Sequence, residues 1–245
     1  MHYDSIRRTF DCSPTLTDRQ VLEFCKAGFL VLEGAVSDEI NQKALAYLNG
    51  DLASNPSYIP EGFSKTDLER IRLSNAPSTI ILEDWFAENV LLNSQVAGVL
   101  RTLLGKDVGL PVLMSRHSVE TPESGQNWHH DADAVFGPEL NFLEVFYFPQ
   151  NTPIELGPTE VVPGSHIGRS NREEDEAGTF TAGPAGTIAI HHQSIMHRRG
   201  RSTAKGYRHM LKYNYWRTAA PVSYTHLRAH ETDSYLVCRR GLEKK

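Results

Sequence analysis

From Gly105 onward the chain is a succession of short β-forming runs separated by turn residues, and this texture limits the fold more than any other feature. The runs read "PVLMSRHSV", "NWHHDADAVF", "LNFLEVFYFP", "TEVVPGS", "GTFTAG", "GTIAIHH" and "RHMLKYNYWR". Several short strands at regular spacing indicate an all-β sandwich or barrel. The part before Gly105 has a helical period instead. Thr17 followed three residues later by Gln20 is a capping-box pattern, with Val21, Phe24 and Cys25 on one helical face and Gly28 as the stop. "FLVLEG" then predicts a short strand, and "SDEINQKALAYLNG" a second helix opened by Ser37 and closed by Gly50. Residues 51–80 are rich in Pro, Ser and Asn and predict a long irregular segment. "NSQVAGVLRTLLG" predicts a third helix that buries Val96, Val99, Leu100 and Leu103. The expected architecture is mainly β with flanking α, a helical front wrapped around a β core.

Composition narrows the function classes. The 245 residues are 40% apolar and 22% charged, enough for a soluble globular domain with a sizeable core. A formal charge of −5 leaves no electrostatic footprint for nucleic acid. There is no basic amphipathic helix for an anionic membrane and no apolar run near the roughly 20 residues of a membrane span. "MHYDSIRRTFDC" lacks the apolar centre of a signal peptide. Cys12, Cys25 and Cys238 form neither a disulfide framework nor a CxxC pair. These features predict a cytoplasmic protein without a nucleic-acid or membrane partner; a monomer or homodimer is expected.

The end of the chain reads as foreign to the rest. "VSYTHLRAHET", eleven residues from Val222, resembles the in-frame translation of a short-read sequencing adapter. Such segments are set aside in fold reasoning. The expected organisation is one domain over residues 1–221, with its core at about 15–218, and a non-native tail over 222–245.

"NWHHDADAVF" carries His129, His130, Asp131 and Asp133, a density of imidazole and carboxylate that points to a metal. On a strand, side chains alternate faces, so His129, Asp131 and Asp133 share one side while His130 faces the other. Residues i and i+2 are about 7 Å apart at Cα, close enough to converge on one ion; i and i+4 are about 13 Å apart, too far. The geometry selects the H-x-D pair His129 and Asp131. A third ligand is needed, and His191, His192 and His197 are candidates that spacing alone does not separate. A 2-His-1-carboxylate set with open positions suits non-haem Fe(II) chemistry.

"LTDRQVLEFCKAGFLVLEG", "WHHD", "GPTEVVPGSH", "AGTIAIHH" and a following H…R, in this order, resemble the phytanoyl-CoA dioxygenase family of Fe(II)/2-oxoglutarate oxygenases over roughly residues 15–218. The resemblance implies a double-stranded β-helix, a cupin-like jelly roll with helices packed along one sheet. In that family an arginine follows the distal histidine by eleven residues, the separation of His197 and Arg208. It therefore implies His129, Asp131 and His197 as catalytic metal ligands and Arg208 as the 2-oxoglutarate anchor. His166 of "PGSH" corresponds to a turn histidine that does not bind metal. The implied cofactors are Fe(II), 2-oxoglutarate as co-substrate and O2, with ascorbate in support. The implied enzyme is an oxidoreductase, a dioxygenase hydroxylating a small organic substrate with release of succinate and CO2. An arginine fork suits the far carboxylate of 2-oxoglutarate because it offers two parallel bonds of fixed direction.

Two positions depart from the family pattern. Arg198 and Arg199 follow His197 where many members have a small residue and then Ser, and Leu156 stands where many have Asn. Asp133 is expected as an acid outside the ligand set, His192 as a buried strand histidine near the site, and His117 as a polar strand residue. "GRSNREEDEAG" reads as a solvated loop, or as a lid over the substrate mouth. Alternative readings are halogenation or ring formation on the same fold, a catalytically silent barrel that binds a small ligand, and a cupin-type metalloprotein. Asp131 opposes halogenation, because chloride needs the position a carboxylate would fill.

Overall fold

The computed structural model describes residues 12, 14–50, 76–111, 114–131, 134–136, 140–169 and 177–218. Asp133, most of the 168–178 loop and the segment from Val222 lie outside the described residues, as does most of the 51–80 segment.

Helix α1 (Asp18–Ala27) opens as the sequence predicts. Thr17 Oγ accepts from the Gln20 amide, and the Gln20 side chain accepts from the Thr17 amide. It stops at Gly28, whose φ of 80° is the left-handed conformation that favours glycine. Strand β1 (Phe29–Leu32) and helix α2 (Asp38–Gly50) follow. Short helical turns at Thr79–Leu82, Asp84–Phe86 and Ala87–Leu91 lead to α3 (Ser94–Leu104), where the Asn93 side chain accepts from the Gln95 amide.

Among the described residues, ten strands form two sheets. The strands after β1 are β2 (Ala76–Pro77), β3 (Val108–Gly109), β4 (Met114–Thr121), β5 (Phe142–Phe148), β6 (Thr159–Val161), β7 (Thr179–Phe180), β8 (Thr187–His192), β9 (His197–Arg199) and β10 (Gly206–Arg217). The larger sheet runs β1-β8-β5-β10-β4-β2, with β3 on the far end of β10. The smaller sheet is β7-β6-β9. All the pairings are antiparallel, and the two sheets form a jelly roll without closing into a barrel.

Both faces of the larger sheet are covered, which explains runs as continuously apolar as "FLEVFYF". Leu30, Leu143, Val145, Tyr147, Ile188, Ile190, Leu211, Tyr213 and Tyr215 face the helices, in one cluster with Phe24, Leu48, Phe86, Val99 and Leu104. Each such side chain, fully buried, contributes roughly 1.5–3 kcal/mol. Two tyrosine hydroxyls pin the layers, Tyr147 to Asn41 Oδ1 and Tyr215 to the Leu91 carbonyl, both at 2.7 Å. The alternate residues Phe29, Val31, Phe146, Phe148, Ala189 and Met210 face the smaller sheet, with Val161 and Ile195. This division of β5 and β10 by parity turns Glu144, Arg208 and Lys212 into the space between the sheets.

Candidate metal centre

Among its described residues, the "NWHHDADAVF" segment forms no ladder strand. His129 forms a single isolated bridge with His197, and residues 123–128 have no regular structure. The expected alternation still holds across that bridge. His129 and Asp131 turn to one side. His130 turns to the other, where its Nδ1 donates to the Ser194 carbonyl at 2.9 Å and its ring meets Phe136 edge-on.

One donor atom each from His129, Asp131 and His197 lies within 4.8 Å of the other two. Asp131 Oδ1 is 3.7 Å from His129 Nε2 and 3.6 Å from His197 Nε2. The other nitrogen of each ring faces a main-chain carbonyl: His129 Nδ1 that of Asn127 at 2.8 Å, His197 Nδ1 that of Ile195 at 3.1 Å. A carbonyl only accepts, so Nδ1 carries a proton in both rings and Nε2 is the nitrogen turned to the shared space. This is the tautomer control that metal-binding histidines require. Burial pulls His197 down to about 4, with the Lys212 charge adding to it, so the ring is neutral at pH 7. Burial alone would raise Asp131; the adjacent ammonium of Lys212, which also donates to it, outweighs burial and holds the carboxyl well below its ordinary range.

The competing third-ligand candidates sit elsewhere. His191 is fully buried against Phe146 and Phe29, with its ring centre 6.4 Å from that of His197. His192, expected near the site, instead packs on His166 at 4.7 Å between ring centres. His166 reaches the Cys25 carbonyl at 3.0 Å and stacks over Gly28, so the "PGSH" turn ties α1 to the β core.

Arg208 projects from β10 into the cavity beside this cluster. It is 2% exposed, its Nη1 donates to the Gly157 carbonyl at 2.8 Å, and its Nε has no partner. Burial, reinforced by Arg199, pulls its guanidinium down to about 10, which still leaves it charged at neutral pH. A buried, incompletely partnered cation fits an anionic ligand. Of the two arginines that depart from the family pattern, Arg198 turns onto Glu160 at 2.7 Å and stacks 4.1 Å over Trp128. Arg199 also lines the cavity; it donates to the Ser124 carbonyl at 3.2 Å and leaves a buried Nε unpartnered.

Lys212, Glu144 and the inward placement of His117 carry no signal in the motifs, and Arg199 stands out there only as a departure from the family pattern. Lys212 reaches both Asp131 and Glu144. His117 lines the cavity and meets Ser115 Oγ at 3.0 Å. Lys212 could have been found by counting along β10, since Arg208, Met210 and Lys212 share a strand face.

Jelly roll, histidine–carboxylate cluster and buried arginine together define a non-haem oxygenase. The model of the family described as phytanoyl-CoA dioxygenase matches residues 24–210, and the chain belongs to that family of 2-oxoglutarate-dependent oxygenases. No curated protein matches the chain in sequence. Solved structures with the same fold include EctD from S. alaskensis with 2-oxoglutarate and 5-hydroxyectoine (19% identity, 87% of this chain and 81% of that one, TM-score 0.63). Two more are HygX from Streptomyces hygroscopicus with nickel and 2-oxoglutarate (16%, 84% and 88%, TM-score 0.61) and CytC3 with Fe(II) and alpha-ketoglutarate (15%, 82% and 78%, TM-score 0.61). Among the described residues, no helix is long and apolar enough to cross a membrane.

Proposed function

We propose that this chain is an Fe(II)- and 2-oxoglutarate-dependent dioxygenase that hydroxylates a small organic substrate in the cytoplasm. The observation that carries the reading is the convergence of His129 Nε2, His197 Nε2 and Asp131 Oδ1 beside the buried guanidinium of Arg208. The donor set fits Fe(II): two imidazole nitrogens and one carboxylate, with open positions left over. Fe(II), 2-oxoglutarate and O2 together supply the oxidising power that puts one oxygen atom into a substrate C–H bond and releases succinate and CO2.

The protein's part is placement and exclusion of water. His129, Asp131 and His197 would hold the metal on one side and leave the cavity side free. Arg208 would take the far carboxylate of 2-oxoglutarate, and its bond to Gly157 fixes the direction of the fork. Four cationic side chains line the cavity, Arg198, Arg199, Arg208 and Lys212, a potential that favours a dianionic co-substrate. Val119, Phe146 and Met210 give it apolar walls. As a metal ligand, the carboxylate of Asp131 would take the position a halide needs, which favours hydroxylation over halogenation.

The test is a screen of succinate release over candidate substrates with Fe(II), ascorbate and 2-oxoglutarate. Substrate-dependent succinate together with a product heavier by one oxygen supports the reading. Tight binding of a small molecule with no succinate under any condition would leave the silent ligand-binding barrel as the better account.

A further inference from the structure

The two oxygens of Asp131 face different partners. Oδ1 is the atom near both imidazole Nε2 atoms, at 3.7 and 3.6 Å. Oδ2 accepts from the ammonium of Lys212, which also lies 3.2 Å from Glu144 Oε1. Lys212 stands on β10, four residues from Arg208 and on the same face, and Glu144 on the neighbouring β5. Their side chains are 18% and 2% exposed. A buried lysine and a buried glutamate are costly unless paired, and this pair lies against the metal cluster itself. An ammonium beside a ligating carboxylate also opposes a divalent cation by simple Coulomb repulsion. Metal affinity therefore does not account for it, but geometry does.

We propose that Lys212, held in place by Glu144, is a positioning residue that makes Asp131 a one-oxygen ligand, presenting Oδ1 to the metal and keeping Oδ2 away. The inference rests on the functional reading above, in which His129, Asp131 and His197 bind Fe(II). A carboxylate free to turn can offer both oxygens to one ion, and the second oxygen takes a coordination position. A facial three-ligand set has three positions to spare. The two chelating oxygens of 2-oxoglutarate and O2 need all of them. Pinning Oδ2 keeps the third one open.

The experiment uses the full chain, purified free of metal and loaded anaerobically with Mn(II). Crystal structures of the loaded wild type, Lys212→Met and Glu144→Gln proteins report how many Asp131 oxygens touch the metal. Titration of each loaded protein with 2-oxoglutarate reports the open positions. In the wild type one oxygen should touch Mn(II). In Lys212→Met both should, and 2-oxoglutarate affinity should fall about tenfold. Glu144→Gln should move in the same direction by less, and Lys212→Arg, which keeps a donor for Oδ2, should stay close to the wild type. One-oxygen coordination with unchanged 2-oxoglutarate affinity in Lys212→Met overturns the proposal; if that variant does not fold, the same result in Glu144→Gln does so. A wild type whose Asp131 already binds through both oxygens overturns it as well. A wild type that binds no metal at these three residues overturns the functional reading itself and is recognised before any variant is compared.

Discussion

His129 and His197 exchange both of their main-chain hydrogen bonds, His129 N–H to the His197 carbonyl at 3.1 Å and His197 N–H to the His129 carbonyl at 2.9 Å. The bridge is isolated, with no ladder running through it. It sets the register between an otherwise irregular segment and β9. A slip of one residue would turn Asp131 away and bring His130 or Ala132 inward. It also brings the two ring centres to 4.6 Å from each other.

Because that register does not depend on the carboxylate, Asp131→Ala should keep its fold and lose its metal. Removing the sole anionic donor should weaken Mn(II) binding by at least about a hundredfold, beyond the loss typical of a supporting residue. Calorimetric titration of metal-free protein measures this, with the melting temperature as the control for folding. Metal binding at wild-type strength would remove Asp131 from the ligand set.

Arg208→Lys should leave the metal affinity as it is and weaken 2-oxoglutarate binding on the order of tenfold, since a point charge does not replace a planar fork. Lysine also lacks the second nitrogen that lets Arg208 hold the Gly157 carbonyl and still face the cavity. The check is titration of Mn(II)-loaded wild type and variant with 2-oxoglutarate. Equal affinities would mean that another cation, with Arg199 the nearest candidate, carries the carboxylate.

What could be read from the sequence follows from which signals are local. The capping box at Thr17, the stop at Gly28 and the helical face of Val96, Val99 and Leu100 are short-range patterns that stand in the structure, although Leu103, expected on that buried face, is only half-buried and Leu104 takes the buried place at the helix end. The face-sharing of His129 and Asp131 is a parity statement, and it held although the segment makes one bridge where a strand was expected. Choosing His197 over His191 and His192 needed the family spacing. All three are buried, and only the path of β8 and β9 shows that His191 backs onto Phe146 while His192 turns to His166. The Lys212–Glu144 pair was hidden for a different reason. Its members lie 68 positions apart, and each sits inside a run that reads as strand core. Nothing in either run alone says that the two strands are neighbours.

Gly28→Ala should destabilise the protein by on the order of 2 kcal/mol, because φ is 80° at this position and left-handed backbone is unfavourable for an L side chain. The added methyl would also run into the His166 ring, which packs directly over Gly28. Urea denaturation of the metal-free protein measures the loss. The double variant Gly28→Ala with His166→Ala should be closer to additive in backbone strain alone, since the clash is gone. A single variant as stable as the wild type would show that α1 can end here without the left-handed turn.

Acid should loosen the same junction. His192 Nδ1 accepts the Ser194 amide at 3.1 Å, and burial, with His166 adjacent, pulls the ring down to about 3. Burial also lowers His166, against a smaller opposing effect of its bond to Cys25. The unfolded chain takes up protons near the ordinary histidine value of about 6.5, well before the folded His192 does. Below that pH the unfolded state binds more protons, so stability falls as the solution is acidified. The contribution of a neutral His192 is therefore complete above about pH 6.5 and is lost progressively toward pH 3. His117, His191 and His197, also lowered by burial, act in the same sense, and Glu144, raised by burial, acts in the opposite one. The quantity that isolates the junction is thus a difference: the urea midpoint of the metal-free wild type minus that of His192→Phe, followed from pH 7 to pH 4. Phenylalanine keeps the ring and has nothing to protonate, so the variant should start less stable and the gap should narrow steadily on acidification. A gap that stays constant across this range would mean that His192 is not held neutral by the fold.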